Sequence, residues 1–352
     1  MPDPRQLECF VLRSAIVQSP AVVGSRTWSR FAEVSPALSG VASVGGRLIG
    51  VLRRWTVPVA VAAVVLVAAT LRRNLVALRA RTPWDPPASA TLSHPLSARV
   101  LGSGPPVVLL HGLGASGRYW GAAYDRLAED HLLVVPDLLG FGSSPRPDHG
   151  YGPDEHAAAV YGCLDVAGVD EPAVLVAHSA GTIVALRMAA TRPDRVRAVI
   201  AFGPPLYASA AEATQHVAAL GMMARLFAND GRVAERVCHW VCRHRALAAR
   251  LAVISTPGLP PEVVADGVQH SWNSYSESLM ELVFVGDLNE WFDDIAQPVV
   301  LVAGDSDRAC DFEWLRRLAD RHDNIRLETW TGDHHLPLTA PSAIMRLVRQ
   351  GL

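Results

Sequence analysis

Lysine is absent from this chain of 352 residues, so all 32 basic side chains are arginine. Together with abundant alanine, valine, glycine and proline, that reflects coding bias more than function. Cysteine is scarce, and its odd count of 5 excludes a disulfide framework. A large excess of charge of either sign is missing too. A net charge of −2 gives no reason to expect a nucleic-acid partner. The one long uncharged run is Trp55 to Leu71, set between Arg53-Arg54 and Arg72-Arg73.

Three regions separate by composition. Residues 1–54 have mixed polarity and no sustained period, and poor order is expected there. The run 55–71 approaches the ~20 apolar residues of a spanning helix, so a membrane anchor is expected over it. A cleaved signal would need a small-residue site where arginines stand instead. The alternative is a buried helix of a soluble protein, which would need protein on all sides, since the run has no polar face. The small arginine excess after the run places the rest of the chain on the cytoplasmic side. Residues 72–87, with Pro83, Pro86 and Pro87, read as a linker stiffened by proline. The remaining domain spans 88–352.

Within that domain short apolar strands alternate with helical stretches. Strands are expected at 98–101, 106–110, 131–136, 173–178 and 196–202, and helices at 118–129, 154–167 and 180–192. This alternation predicts an α/β fold with a mostly parallel sheet and helices on both faces. From about 206 to 292 the alternation stops and the pattern is helical. Two further strands follow, in Pro298–Gly304 and Ile325–Trp330, and then a closing helix over Ser342–Gln350.

Chemistry concentrates in Ala177-His178-Ser179-Ala180-Gly181, which joins a buried strand to a helix. A serine on such a sharp turn is lifted clear of the sheet in a strained backbone conformation, the arrangement of a nucleophile elbow. The bland alternative is a helix-capping serine. A serine hydroxyl is a weak nucleophile and needs a base, which in turn needs an orienting acid. Both follow in the order Ser, Asp, His. Asp305 and Asp307 share the turn after strand 298–304. Asp307 is preferred because Gly-x-x-Asp lets its carboxylate reach back over the sheet edge, leaving Asp305 to cap the turn. His334 and His335 follow the last strand, with His334 preferred as base. Upstream, His111-Gly112-Leu113-Gly114 opens from a strand. The N–H groups of Leu113 and Ala180 are the candidate oxyanion donors. His111 and the turn Asp137-Leu-Leu-Gly140-Phe-Gly142 are read as structural.

Cys238-His239-x-x-Cys242-x-His244 has the residue types of a metal site. The cysteines lie within one helical stretch, 234–253, and no second ligand pair is evident. A closed structural zinc site needs four ligands. Core and surface positions of a helix are therefore expected, with no metal and no cofactor.

These motifs together resemble the α/β-hydrolase superfamily from roughly Ala98 to Leu347. The match is to the branch written His-Gly-x-Gly, Asp-x-x-Gly-x-Gly-x-Ser, small-His-Ser-x-Gly, Gly-x-x-Asp, and a histidine seven residues before a proline. His334 stands seven before Pro341 and His335 six. Ala177 replaces the first glycine of the usual Gly-x-Ser-x-Gly elbow, and the chain departs from the branch at Asp333, where the branch has glycine. A serine nucleophile points away from the dehalogenase and epoxide-hydrolase relatives, which use aspartate. The resemblance implies that 206–292 forms a helical cap over the site. It also implies a serine hydrolase acting on a small-molecule ester or other acyl compound, and the anchor expected over 55–71 would make that substrate a hydrophobic one. Hydrolysis of a carbon–carbon bond beside a ketone, with the same residues, is the alternative. A hydrolase fold kept only for ligand binding is a third reading.

Overall fold

The computed structural model describes residues 84–219, 231–284, 286 and 288–350, with a few positions between 65 and 74. The first 64 residues, and with them the expected poorly ordered region, lie outside the described residues. Seven strands form one sheet: β1 (Ala98–Leu101), β2 (Pro106–Leu110), β3 (Leu132–Pro136), β4 (Ala173–His178), β5 (Val196–Phe202), β6 (Val299–Gly304) and β7 (Ile325–Trp330). Their order is β1-β3-β2-β4-β5-β6-β7. β1 runs antiparallel to β3 and the other pairings are parallel.

The strand sequences explain why this sheet is buried on both faces. Alternate side chains of a strand point to opposite sides. In β2, Val108 and Leu110 enter one apolar cluster, while Val107 and Leu109 enter another. The first cluster packs α2 (Pro153–Val166) and α3 (Gly181–Thr191) against the sheet through Val160, Leu164, Val184 and Met188. The second holds Tyr119, Trp120 and Tyr124 beside Ile344 and Val348 of the closing helix, Pro341–Arg349.

The helix expected over 118–129 is interrupted. A 3-10 turn, Gly117–Trp120, leads into the short α1 (Gly121–Asp125), and a second 3-10 turn, Arg126–Glu129, follows. The first break falls at Gly121, at φ 60°, where an added Cβ would stand 2.8 Å from Nε1 of Trp84.

Between β5 and β6 the described chain is helical: α4 (Ala210–Ala219), α5 (Gly231–Arg243), α6 (Arg245–Ser255), α7 (Pro261–Asp266), α8 (Trp272–Leu282) and α9 (Asn289–Asp294). The helical stretch 234–253 therefore breaks at His244, which leaves helical geometry at ψ 40°. α8 starts at a reciprocal cap. Ser271 Oγ accepts from the Ser274 N–H, and Ser274 Oγ accepts from the Ser271 N–H. This helix presses onto the turn after β3, where a Cβ on Gly140 would lie 2.4 Å from Ser274 Cβ.

The membrane anchor expected over 55–71, and the membrane-associated placement built on it, are corrected. Among the described residues no helix is long and apolar enough to cross a membrane. The greater part of 55–71 lies outside the described residues. Just beyond it, Asn74 is buried and donates its side-chain amide to the Ile254 carbonyl at 2.7 Å, so the chain there is docked on α6.

Candidate functional site

Open parallel sheets gather functional groups beyond the carboxyl ends of their strands. Here His111 follows β2, Ser179 follows β4, Gly203 follows β5, Asp305 and Asp307 follow β6, and His334 follows β7. Ser179 has φ 51°, the one positive value of a non-glycine among the described residues. Its N–H is held by the Phe202 carbonyl at 2.9 Å, and its carbonyl accepts from Thr182 at 2.8 Å. The strained conformation is thus fixed from both sides. Strand and helix nearly touch here: a Cβ on Gly181 would meet the His111 carbonyl oxygen at 2.6 Å.

The acid turn separates its two carboxylates. Asp307 Oδ2 accepts from His334 Nδ1 at 2.9 Å, while Asp307 Oδ1 accepts from the Ala309 N–H at 2.8 Å. Burial pushes the Asp307 carboxyl up, but its bonds to His334, Ala309 and Cys310 outweigh this and hold it below its ordinary value. Asp305 instead accepts from the Gly332 N–H at 3.1 Å, joining the β6 turn to the β7 turn. Gly203, at φ 58°, is a residue that sequence reasoning missed. A Cβ there would stand 2.8 Å from His334 Nδ1 and 3.2 Å from Asp307 Oδ2, so only glycine leaves room for the pair.

The two adjacent histidines have different surroundings. His335 Nδ1 faces the Tyr119 hydroxyl at 3.2 Å, and burial, with His334 beside it, pushes the imidazole down to about 4. A neutral ring there accepts a hydrogen bond from the Tyr119 hydroxyl. The His335 N–H donates to Asp333 Oδ1 at 2.8 Å. Asp333 has no positive φ, so this turn makes no demand for the glycine found there in the resembling branch. His178, immediately before Ser179, donates from Nε2 to the His334 carbonyl at 2.9 Å and stacks on Tyr119 at 4.7 Å. Serine and candidate base are therefore joined through one residue. His178 stood in the serine pentapeptide, but nothing in the sequence marked its partner.

The turn after β2 is set by His111. Its Nδ1 donates to the Gly112 carbonyl at 2.8 Å and its Nε2 accepts from the Leu138 N–H at 2.8 Å. This fixes a neutral tautomer and ties the turn carrying Leu113 to the turn after β3. A Cβ on Gly112 would meet Ser179 Cβ at 3.0 Å, which places this turn against the serine. Ala180 is buried at the start of α3. Neither the Leu113 nor the Ala180 N–H has a protein acceptor among the described residues. Asp137 accepts from the N–H groups of Gly117 and Ser143, as a turn-forming residue does.

Acid sensitivity follows from the buried imidazoles. Burial lowers His111, His178, His156 and His335, with His156 reaching about 3 and His335 about 4. Such groups protonate near pH 6.5 when unfolded but stay neutral when folded, so acid favours unfolding. Stability is full above pH 6.5 and falls as the pH drops towards 4 and then 3. Each group adds a slope of up to about 1.4 kcal/mol per pH unit. Thermal melts should show Tm dropping across this window, with a shallower drop in His156→Gln. A Tm that stays level from pH 7 to 4 would contradict the neutral assignments.

Comparison with known proteins bears on the fold. The family model described as alpha/beta hydrolase fold matches residues 105–335. An uncharacterized protein of Mycobacterium tuberculosis is 34% identical over 102 residues, 29% of this chain and 30% of its own length. That match therefore spans under a third of the relative. The 2-(acetamidomethylene)succinate hydrolase of Mesorhizobium japonicum is 25% identical over 256 residues, 72% of this chain and 90% of that enzyme. A solved structure of an N-acyl homoserine lactone degrading enzyme superposes with a TM-score of 0.53 at 25% identity, covering 73% of this chain and 96% of the other. With the family model covering β2 to β7 and the turns that follow them, the chain belongs to the α/β-hydrolase fold family.

Proposed function

We propose that this hydrolase cleaves a carboxylic ester or a related small acyl compound through Ser179, His334 and Asp307. The observation that carries the reading is the His334–Asp307 pair at 2.9 Å, whose backbone is hydrogen-bonded to the residue before the strained Ser179. In this mechanism His334 Nε2 takes the Ser179 proton as Oγ attacks the acyl carbon. Asp307 fixes the Nδ1–H tautomer and stabilises the imidazolium. The N–H groups of Leu113 and Ala180 bind the tetrahedral oxyanion. His334 then protonates the leaving alcohol, which yields the acyl-enzyme. Water, deprotonated by His334, attacks that ester and releases the acid and free Ser179. The likeness to an N-acyl homoserine lactone degrading enzyme supports an acyl compound as the substrate.

The test is turnover by the purified full chain on aryl esters of graded acyl length beside a 1,3-diketone. Ester hydrolysis with an initial burst of alcohol is expected. Cleavage of the diketone with none of the esters would replace this reading with carbon–carbon hydrolysis.

A further inference from the structure

The fold brings together a side-chain cluster with no part in the proposed hydrolysis. Cys238 and Cys242 lie one turn apart on the same face of α5, with their sulfurs 3.9 Å apart. His270, 28 residues beyond Cys242, enters from the segment before α8 and puts Nδ1 3.8 Å from Cys238 Sγ. All three ligand atoms lie within 4.8 Å of one another. Both cysteines are free thiols, their sulfurs far beyond the roughly 2.05 Å of a disulfide.

We propose that Cys238, Cys242 and His270 form a binding site for a borderline-soft, tetrahedral divalent cation of the zinc class, with solvent as the fourth ligand. A tetrahedral ion with metal–sulfur and metal–nitrogen bonds of about 2.3 and 2.0 Å holds its ligand atoms roughly 3.5–3.8 Å apart. Two of the separations here are within a few tenths of an ångström of that. Two thiolates and an imidazole suit zinc and disfavour magnesium or calcium. The imidazole is positioned in advance. Arg245 donates to the carbonyls of Val268 and His270 at 2.6 and 2.9 Å, and Arg146 donates to that of Gln269 at 3.0 Å. These guanidinium groups also balance part of the negative charge that two thiolates bring. Cys238 and His270 are buried while Cys242 is only partly so, which leaves an approach along one edge.

Binding releases two thiol protons to solvent. His270 Nδ1, which now donates to the Ser271 carbonyl at 3.1 Å, passes its proton to Nε2 as the ring takes the other neutral tautomer. The ion would pin α5 to the segment that opens α8. Tyr275 of α8 packs its ring 4.8 Å from that of His270, and its Cε2 lies 3.5 Å from where a Cβ on Gly114 would stand. The site thus adjoins the turn that carries Leu113.

The experiment is titration of the reduced, metal-free full chain with Co2+, in a Cys9→Ser background that removes the N-terminal thiol. One Co2+ per chain is expected, with intense visible bands of tetrahedral coordination and a near-ultraviolet thiolate-to-cobalt charge-transfer band. Zn2+ should displace it and raise Tm. Cys242→Ser and His270→Asn, each checked for an unchanged circular dichroism spectrum, should weaken Zn2+ by more than the roughly 10–100-fold that loss of an outer-shell partner costs. Weak octahedral bands without charge transfer would overturn the proposal. So would a charge-transfer band of undiminished intensity after loss of Cys242.

Discussion

Ser179→Ala should abolish labelling by a fluorophosphonate probe and lower ester turnover about 10⁴–10⁶-fold, with Tm unchanged. The size of the loss follows from the role proposed for Oγ: without it no acyl-enzyme forms, and only binding and oxyanion stabilisation are left. The unchanged Tm follows from the backbone. Alanine keeps the Cβ that makes φ 51° costly, and the Phe202 and Thr182 bonds that hold the turn involve main-chain atoms alone. Ser179→Gly separates strain from chemistry. It should be equally inactive yet more stable by about 1 kcal/mol, because glycine adopts that conformation without penalty. Ester hydrolysis that persists in both variants would remove Ser179 from the mechanism.

His334→Ala should reduce turnover by a similar factor, whereas His335→Ala should reduce it less than about tenfold. The asymmetry rests on partners. His334 Nδ1 is engaged by a carboxylate whose side chain is fully buried, so its Nε2 is oriented for proton transfer. His335 is directed at a phenol and held neutral by burial. Loss of His334 also leaves the Asp307 carboxylate short of one partner. That should lower stability by about 1–3 kcal/mol, readable as a drop in the denaturant midpoint. His335→Ala opens a space beside Tyr119 and His178, so its effect should fall more on Tm than on kcat. Equal kinetic losses in the two variants, or the reverse order, would exchange the roles of the histidines.

The succession of strands and helices along the chain, and the placement of Ser179, Asp307 and His334 at strand ends, were legible because they are local. A run such as Ala173–Ala177 followed by small residues and then a helical period states a strand, a turn and a helix without reference to the rest of the chain. The choice of Asp307 over Asp305 also had a local basis, since two positions on one turn point in different directions. The helix expected over 118–129 breaks at Gly121, at φ 60°, which packs against Trp84, distant in sequence and close in space, so its apolar pattern did not show the break. The anchor expected over 55–71 rested on hydropathy alone, which measures a run's preference for apolar surroundings and cannot say what supplies them.

By itself, then, the sequence determined an α/β sheet, the order of its motifs and the residue types at each turn, because those depend on side-chain periodicity and backbone preference within a few residues. The tertiary structure alone decided which groups meet. Gly203 makes room for the His334–Asp307 pair, His178 ties the serine turn to the His334 backbone, and His270 joins two cysteines from another segment. Such encounters depend on how strands register and helices pack, and burial makes them consequential. A polar group withdrawn from water must find its partner inside the protein, wherever in the sequence that partner lies.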